Sequence, residues 1–133
     1  MSKNMKTALV VDDETPDLEV LAEALAAAGY RVITVSDGKT AVESFQAHSE
    51  QIDLLVTDVA MSPMNGFDLA KLLVNRNPHL PVIFVSGYIG GLVFQYDDPP
   101  MPHFGFLRKP FTRAGLAAQI RQTLLEIATR TVA

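Results

Sequence analysis

Five residues of this chain have the side chains for chemistry, and each stands where a short apolar run stops. Asp12 and Asp13 follow Thr7-Ala8-Leu9-Val10-Val11, Asp58 follows residues 53–57, Ser86 follows 82–85, and Lys109 comes just after 104–107. Gathered at one spot, three carboxylates repel one another. At about 5 Å and an effective dielectric near 20, each pair costs on the order of 3 kcal/mol. A hard divalent cation relieves that repulsion. Oxygen-only donors, with no His or Cys beside them, favour Mg²⁺ over zinc or copper. Mg²⁺ binds through one or two carboxylates together with phosphate oxygens, so the site expects a phosphoryl group. Asp58 is the natural acceptor, because a carboxylate can act as nucleophile and form an aspartyl-phosphate. Lys109 supplies a point positive charge for a phosphoryl oxygen, and Ser86 can donate a hydrogen bond to another. Phosphoryl transfer needs positioning and charge neutralisation more than acid–base work.

Taken singly, each residue has an ordinary role: solvated acids ahead of a helix, turn formers, a surface charge. Their joint placement at the ends of consecutive runs is what argues for a site. Leu9–Val11, Val32–Val35, Leu54–Val56, Val82–Val85 and Phe104–Leu107 are short and rich in β-branched or aromatic residues, as strands buried on both faces are. Helical patterns lie between them. Leu18, Leu21, Ala22 and Leu25 share one face, with Thr15 expected as N-cap, Pro16 in the first turn and Gly29 at the end. Ala41, Val42 and Phe45 mark a second helix. Leu69, Leu72 and Leu73 mark a third, capped by Asn65, and Leu116, Ile120, Leu124 and Ile127 mark the last, capped by Thr112.

Strands alternating with helices imply right-handed βαβ units and an α/β fold. The expectation is a doubly wound (βα)5 domain, flavodoxin-like, with a five-stranded parallel sheet of order 2-1-3-4-5. That order sets strands 1 and 3 side by side and brings Asp12, Asp13 and Asp58 together. The single domain spans 1–133, with a core over about 7–128. One stretch breaks the pattern. Gly87, Gly90, Gly91, Pro99, Pro100 and Pro102 fall where the fourth helix belongs, so that helix is expected to be short or irregular, over Gly91–Tyr96. Lys109-Pro110 invites a cis peptide that would aim the lysine.

Composition narrows the function. A net charge of −4 without clustered Lys or Arg argues against direct nucleic-acid binding. With no cysteine, disulfide and thiolate chemistry are excluded. The polar start, Met1–Lys6, lacks the apolar core of a signal peptide, and no run is long enough to insert in a membrane, so the expected location is cytoplasmic.

These residues together resemble the receiver domain of two-component response regulators, from Thr7 to about Ile127. The resemblance rests on Val10-Val11-Asp12-Asp13-Glu14, on Thr57-Asp58-Val59 with Met61, Met64 and Gly66 downstream, on Val85-Ser86-Gly87, and on Phe106-Leu107-Arg108-Lys109-Pro110-Phe111. It implies that Asp58 takes a phosphoryl group from a histidine kinase or histidine phosphotransfer protein. It implies that Asp13, Asp58 and the backbone carbonyl of Ala60 ligate Mg²⁺, with Asp12 acting through water. Ser86 and Lys109 would contact the phosphoryl group, and Ala60 and Tyr88 would tune its loss. By the same resemblance, Ser86 and Phe106 form the switch that remodels the face of the fourth helix, fifth strand and last helix for a downstream protein partner. Three features depart from the family's pattern. Phe106 replaces the usual Tyr and lacks its hydroxyl, Met61-Ser62-Pro63 moves the proline one place, and the Gly/Pro-rich stretch falls on the signalling face.

The resulting expectation is a phosphorylation-dependent signalling switch rather than an enzyme. No output domain follows the last helix, which suggests a stand-alone regulator or a receiver from a larger protein such as a hybrid kinase. Ser86-Gly87-Tyr88 leans toward the second. The alternatives are a receiver-like interaction module that is never phosphorylated, an aspartyl-phosphate phosphatase and a flavin binder. The phosphatase would need a second acid where Ala60 stands, and the flavin binder a phosphate loop where Asp12-Asp13-Glu14 stands.

Overall fold

The computed structural model describes residues 5–48, 51–87 and 102–132. The expected short helix over Gly91–Tyr96 and the tuning residue Tyr88 lie outside the described residues. Five strands, β1 (Thr7–Val11), β2 (Arg31–Val35), β3 (Ile52–Asp58), β4 (Val82–Ser86) and β5 (Phe104–Arg108), form one sheet in the order β2-β1-β3-β4-β5. All neighbours run parallel. Four helices are described: α1 (Thr15–Ala27), α2 (Gly38–His48), α3 (Gly66–Arg76) and α4 (Arg113–Val132). Among the described residues no helix is long and apolar enough to cross a membrane.

Alternation along the strands makes two cores, one on each face. Leu9 and Val11, Leu55, Val82 and Phe84 pack with Ala41 and Phe45 of α2 and Leu69, Leu73 and Val74 of α3. Ala8 and Val10, Leu54 and Val56, Ile83 and Val85 pack with Leu21 and Leu25 of α1 and Leu116 and Ile120 of α4. Each fully buried Leu, Ile or Phe contributes roughly 1.5–3 kcal/mol, and burial on both faces explains why β1 and β4 read as unbroken apolar runs.

Local signals set most of the helix ends. Asn65 caps α3 by accepting from the Asp68 amide at 2.8 Å, and Thr112 Oγ1 accepts from the Gly115 amide at 3.2 Å ahead of α4. At the end of α1, Gly29 adopts φ +99°, where a side chain is strained. Tyr30 N–H donates to Leu25 O and Gly29 N–H to Ala26 O, each at 3.0 Å, the paired bonds of a Schellman close. The start of α1 corrects the sequence reading. Thr15 is the first helical residue, and Glu14 holds the cap position without a side-chain cap bond. Glu14 instead donates its N–H to Asp12 Oδ1 at 2.9 Å and turns its carboxylate to Lys109. Pro16 has no N–H, which removes one donor the missing cap would have served.

Candidate functional site

Strand register brings the reactive residues to one rim. Val11 pairs with Thr57, which sets Asp12 beside Asp58 on the neighbouring strands β1 and β3. The ladder bonding continues past the strand ends. Asp12 N–H donates to Val35 O at 3.3 Å, Val59 N–H to Val85 O at 3.0 Å, and Lys109 N–H to Ser86 O at 2.9 Å. Site residues from four strands are therefore held by backbone. Asp58 and Ser86 close β3 and β4 as their last residues, one place past where the apolar runs stop. Lys109-Pro110 is cis, as the sequence invited, and Ser62-Pro63 is cis as well.

The Lys109 ammonium is the centre of the arrangement. Its Nζ lies 2.9 Å from Asp17 Oδ2, 3.2 Å from Asp12 Oδ2, 3.4 Å from Glu14 Oε1 and 3.6 Å from Asp58 Oδ2. Asp12 is fully buried, and Asp58 and Ser86 nearly so, whereas Asp13 and Ala60 are exposed at the lip. Asp12 Oδ2 faces the ammonium at 3.2 Å and has no hydrogen-bond partner among the described residues. Asp58 Oδ1 accepts from the Ala60 N–H at a long 3.4 Å, and the Asp58 carbonyl accepts from Thr57 Oγ1 at 3.0 Å.

Crowding moves the titrations. Burial, then the Asp12 charge, push the Asp58 carboxyl up to about 6, with Lys109 and the Ala60 amide pulling back. Burial also raises Asp12, against the Glu14 amide and Lys109. Burial lowers Lys109, but the Asp17 hydrogen bond and the charges of Asp12 and Asp58 outweigh it and hold the ammonium above its ordinary range.

The acids fit a hard cation. One carboxylate oxygen each from Asp12, Asp13, Glu14 and Asp58 lies within 4.8 Å of the others. All donors are oxygen, and the buried Asp12 Oδ2 without a hydrogen bond is the unsatisfied acceptor that a cation would satisfy.

Phe106 stands apart from this cluster. Half-buried on β5, its ring stacks on Phe84 at 5.7 Å and meets Phe104 edge-on at 5.5 Å, while Phe84 also touches Phe67 at 4.8 Å. It sits in an aromatic row running to α3 through Phe84, which lies two residues before Ser86 on β4. Sequence reasoning passed over Glu14 and Asp17. The available signal was an acid in the first turn of α1, five residues after Asp12, where the helix start returns a side chain toward the strand end.

The sequence matches the family described as "Response regulator receiver domain" over residues 8–121. It is 31% identical to the response regulator receiver protein CpdR of Brucella abortus, over 91% of this chain and 98% of that protein. It is 35% identical to the sensor kinase CckA of the same organism over 89% of this chain, but spans only 12% of that kinase. A solved response regulator receiver protein from Sinorhizobium medicae superposes with a TM-score of 0.77 at 30% identity, covering 95% of this chain and 99% of that one. A family match across most of the sheet and helices, joined by a relative matched almost end to end, makes this chain a member of the response regulator receiver domains of two-component signal transduction.

Proposed function

We propose that the chain is a phosphorylation-dependent switch in which Asp58 accepts a phosphoryl group from a histidine kinase or histidine phosphotransfer protein. One observation carries this reading: the Lys109 ammonium and the carboxylates of Asp12, Asp13 and Glu14 converge on Asp58 at the floor of an all-oxygen site. An Asp58 oxygen attacks phosphorus, the phosphorus–nitrogen bond of the donor phosphohistidine breaks, and the imidazole leaves with the electron pair. Lys109 then pairs with a phosphoryl oxygen, and the Ser86 hydroxyl donates to another. Asp13, Asp58 and the Ala60 carbonyl would hold Mg²⁺, with Asp12 through water. Bound there, Mg²⁺ supplies neutralisation of the charge that accumulates on the phosphoryl oxygens.

The protein on this reading is a phosphoacceptor and not a turnover enzyme. Ser86 and Phe106 pass the change to the β5 and α4 surface, where a protein partner reads it. The donor chemistry is intracellular, so the reading carries a cytoplasmic location.

The test is incubation with Mg²⁺ and acetyl phosphate, followed by intact mass and hydroxylamine sensitivity. The expected result is one acid-stable, base-labile phosphoryl group, absent from Asp58→Asn. A folded wild type that takes no label from acetyl phosphate or from a phosphorylated histidine phosphotransfer protein would leave only an interaction module.

A further inference from the structure

The Lys109 ammonium has three protons and four carboxylates around it, so one contact must be poor. The nearest acid, at 2.9 Å, is Asp17; the farthest, at 3.6 Å, is Asp58, the residue whose phosphoryl group the lysine would have to meet. Asp17 does not lie at a strand end. It projects from the first turn of α1, and that helix is pinned to the sheet by the buried Leu21, Ala24 and Leu25, which fixes where the carboxylate sits. Asp17 therefore draws the lysine toward α1 and away from β3.

We propose that Asp17 is a positioning residue that holds the Lys109 ammonium on the α1 side of the cleft and thereby slows phosphoryl transfer to Asp58. The inference rests on the proposed phosphoacceptor role of Asp58 and adds a brake to it. Two physical terms act in the same direction. Transfer replaces one negative charge at Asp58 with a group carrying about −1.5 to −2, which the Asp17 carboxylate repels. Transfer also requires the ammonium to turn toward the phosphoryl oxygens, which loosens its closest ion pair. Neither Asp12 nor Glu14 has this effect alone: Asp12 is on the floor beside Asp58, and Glu14 is largely exposed and screened.

The experiment compares the full chain as wild type, Asp17→Asn, Asp17→Ala, Asp17→Glu and Asp58→Asn. Phosphorylation by acetyl phosphate with Mg²⁺ is followed across donor concentrations at two ionic strengths. Urea denaturation and the metal-free ¹⁵Nζ chemical shift of Lys109 are measured alongside. Asp17→Asn is expected to raise the saturating rate about fivefold, the size set by one partly exposed ion pair, with little change in half-saturating donor. The gain shrinks at high salt, Asp17→Ala behaves like Asp17→Asn, and Asp17→Glu returns to the wild-type rate. The Lys109 ¹⁵Nζ shift should move in Asp17→Asn and stay near wild type in Asp17→Glu. A purely structural role would lower stability and leave the saturating rate where it was. Wild type that labels, Asp58→Asn that does not, and an Asp17→Asn rate that is unchanged or slower would overturn this inference alone. No label on folded wild type would overturn it together with the phosphoacceptor reading.

Discussion

At Asp58 the chain accepts an electrostatic penalty. A carboxyl raised from 3.8 to about 6 by burial and by Asp12 is less stable ionised in the folded protein than in the unfolded chain. Between those two values the folded state binds more protons, so stability falls as pH rises through the window and levels off above it. The shift corresponds to about 3 kcal/mol at neutral pH. Asp58→Asn removes the ionisation while keeping the shape. Urea unfolding in metal-free buffer should show the variant more stable than wild type by about 3 kcal/mol at pH 7.5, with the difference largely gone near pH 4. An equal gap at both values would place the cause elsewhere than in this carboxylate.

Among the elements, the β3–α3 connection is the tightest part of the site. Gly66 opens α3 directly under β3, and a Cβ there would stand 2.2 Å from the Asp58 carbonyl oxygen and 3.0 Å from Val59 Cα. Its N–H donates to Val59 O at 2.9 Å, so the backbone cannot drift outward without losing that bond. Gly66→Ala should lower stability by about 1–3 kcal/mol, as overpacking does, and slow labelling of Asp58 by displacing its backbone. Urea midpoints and intact mass after acetyl phosphate check both effects.

The elements also mark where the sequence was legible. β1 and β4 were, because strands buried along their whole length are almost wholly apolar, and so were Asn65, Thr112 and Gly29, whose roles depend on near neighbours in the chain. The start of α1 was not. Thr15 has the right chemistry for a cap, but Glu14 takes the position because its side chain is drawn to Lys109, 95 residues along the chain. Asp17 escaped for the same reason. A first-turn acid reads as a favourable helix-dipole contact until the fold brings the lysine that follows β5 against it. Asp12, Asp13, Asp58, Ser86 and Lys109 were readable because each marks a strand end, and in a parallel sheet all strand ends share one rim.

Across the whole molecule, the sheet is held most firmly at its middle. β1 and β3 are each flanked by strands on both sides and covered by helices on both faces, whereas β2 is flanked by β1 alone among the described strands and leaves Arg31 and Thr34 exposed. Native-state hydrogen exchange should find the β1 and β3 amides opening only with global unfolding, and the β2 amides at lower free energy. Equal protection of β2 and β3 would contradict this gradient.

The Asp12 oxygen that faces Lys109 without a hydrogen bond has a wider consequence. It lies beside Asp58 at the ends of two paired central strands, so backbone pairing limits how far the two carboxylates can move apart. Lys109 offsets part of that repulsion, and a proton or an added cation relieves the rest. Burial and the Asp12 charge raise the Asp58 carboxyl, so a proton competes with an incoming cation for the same oxygens. The rim then works as a small ion exchanger, trading protons for cations. On the proposed reading, protonating Asp58 relieves the crowding at the rim and occupies the oxygen that phosphoryl transfer would use, so the two demands on that carboxyl oppose each other.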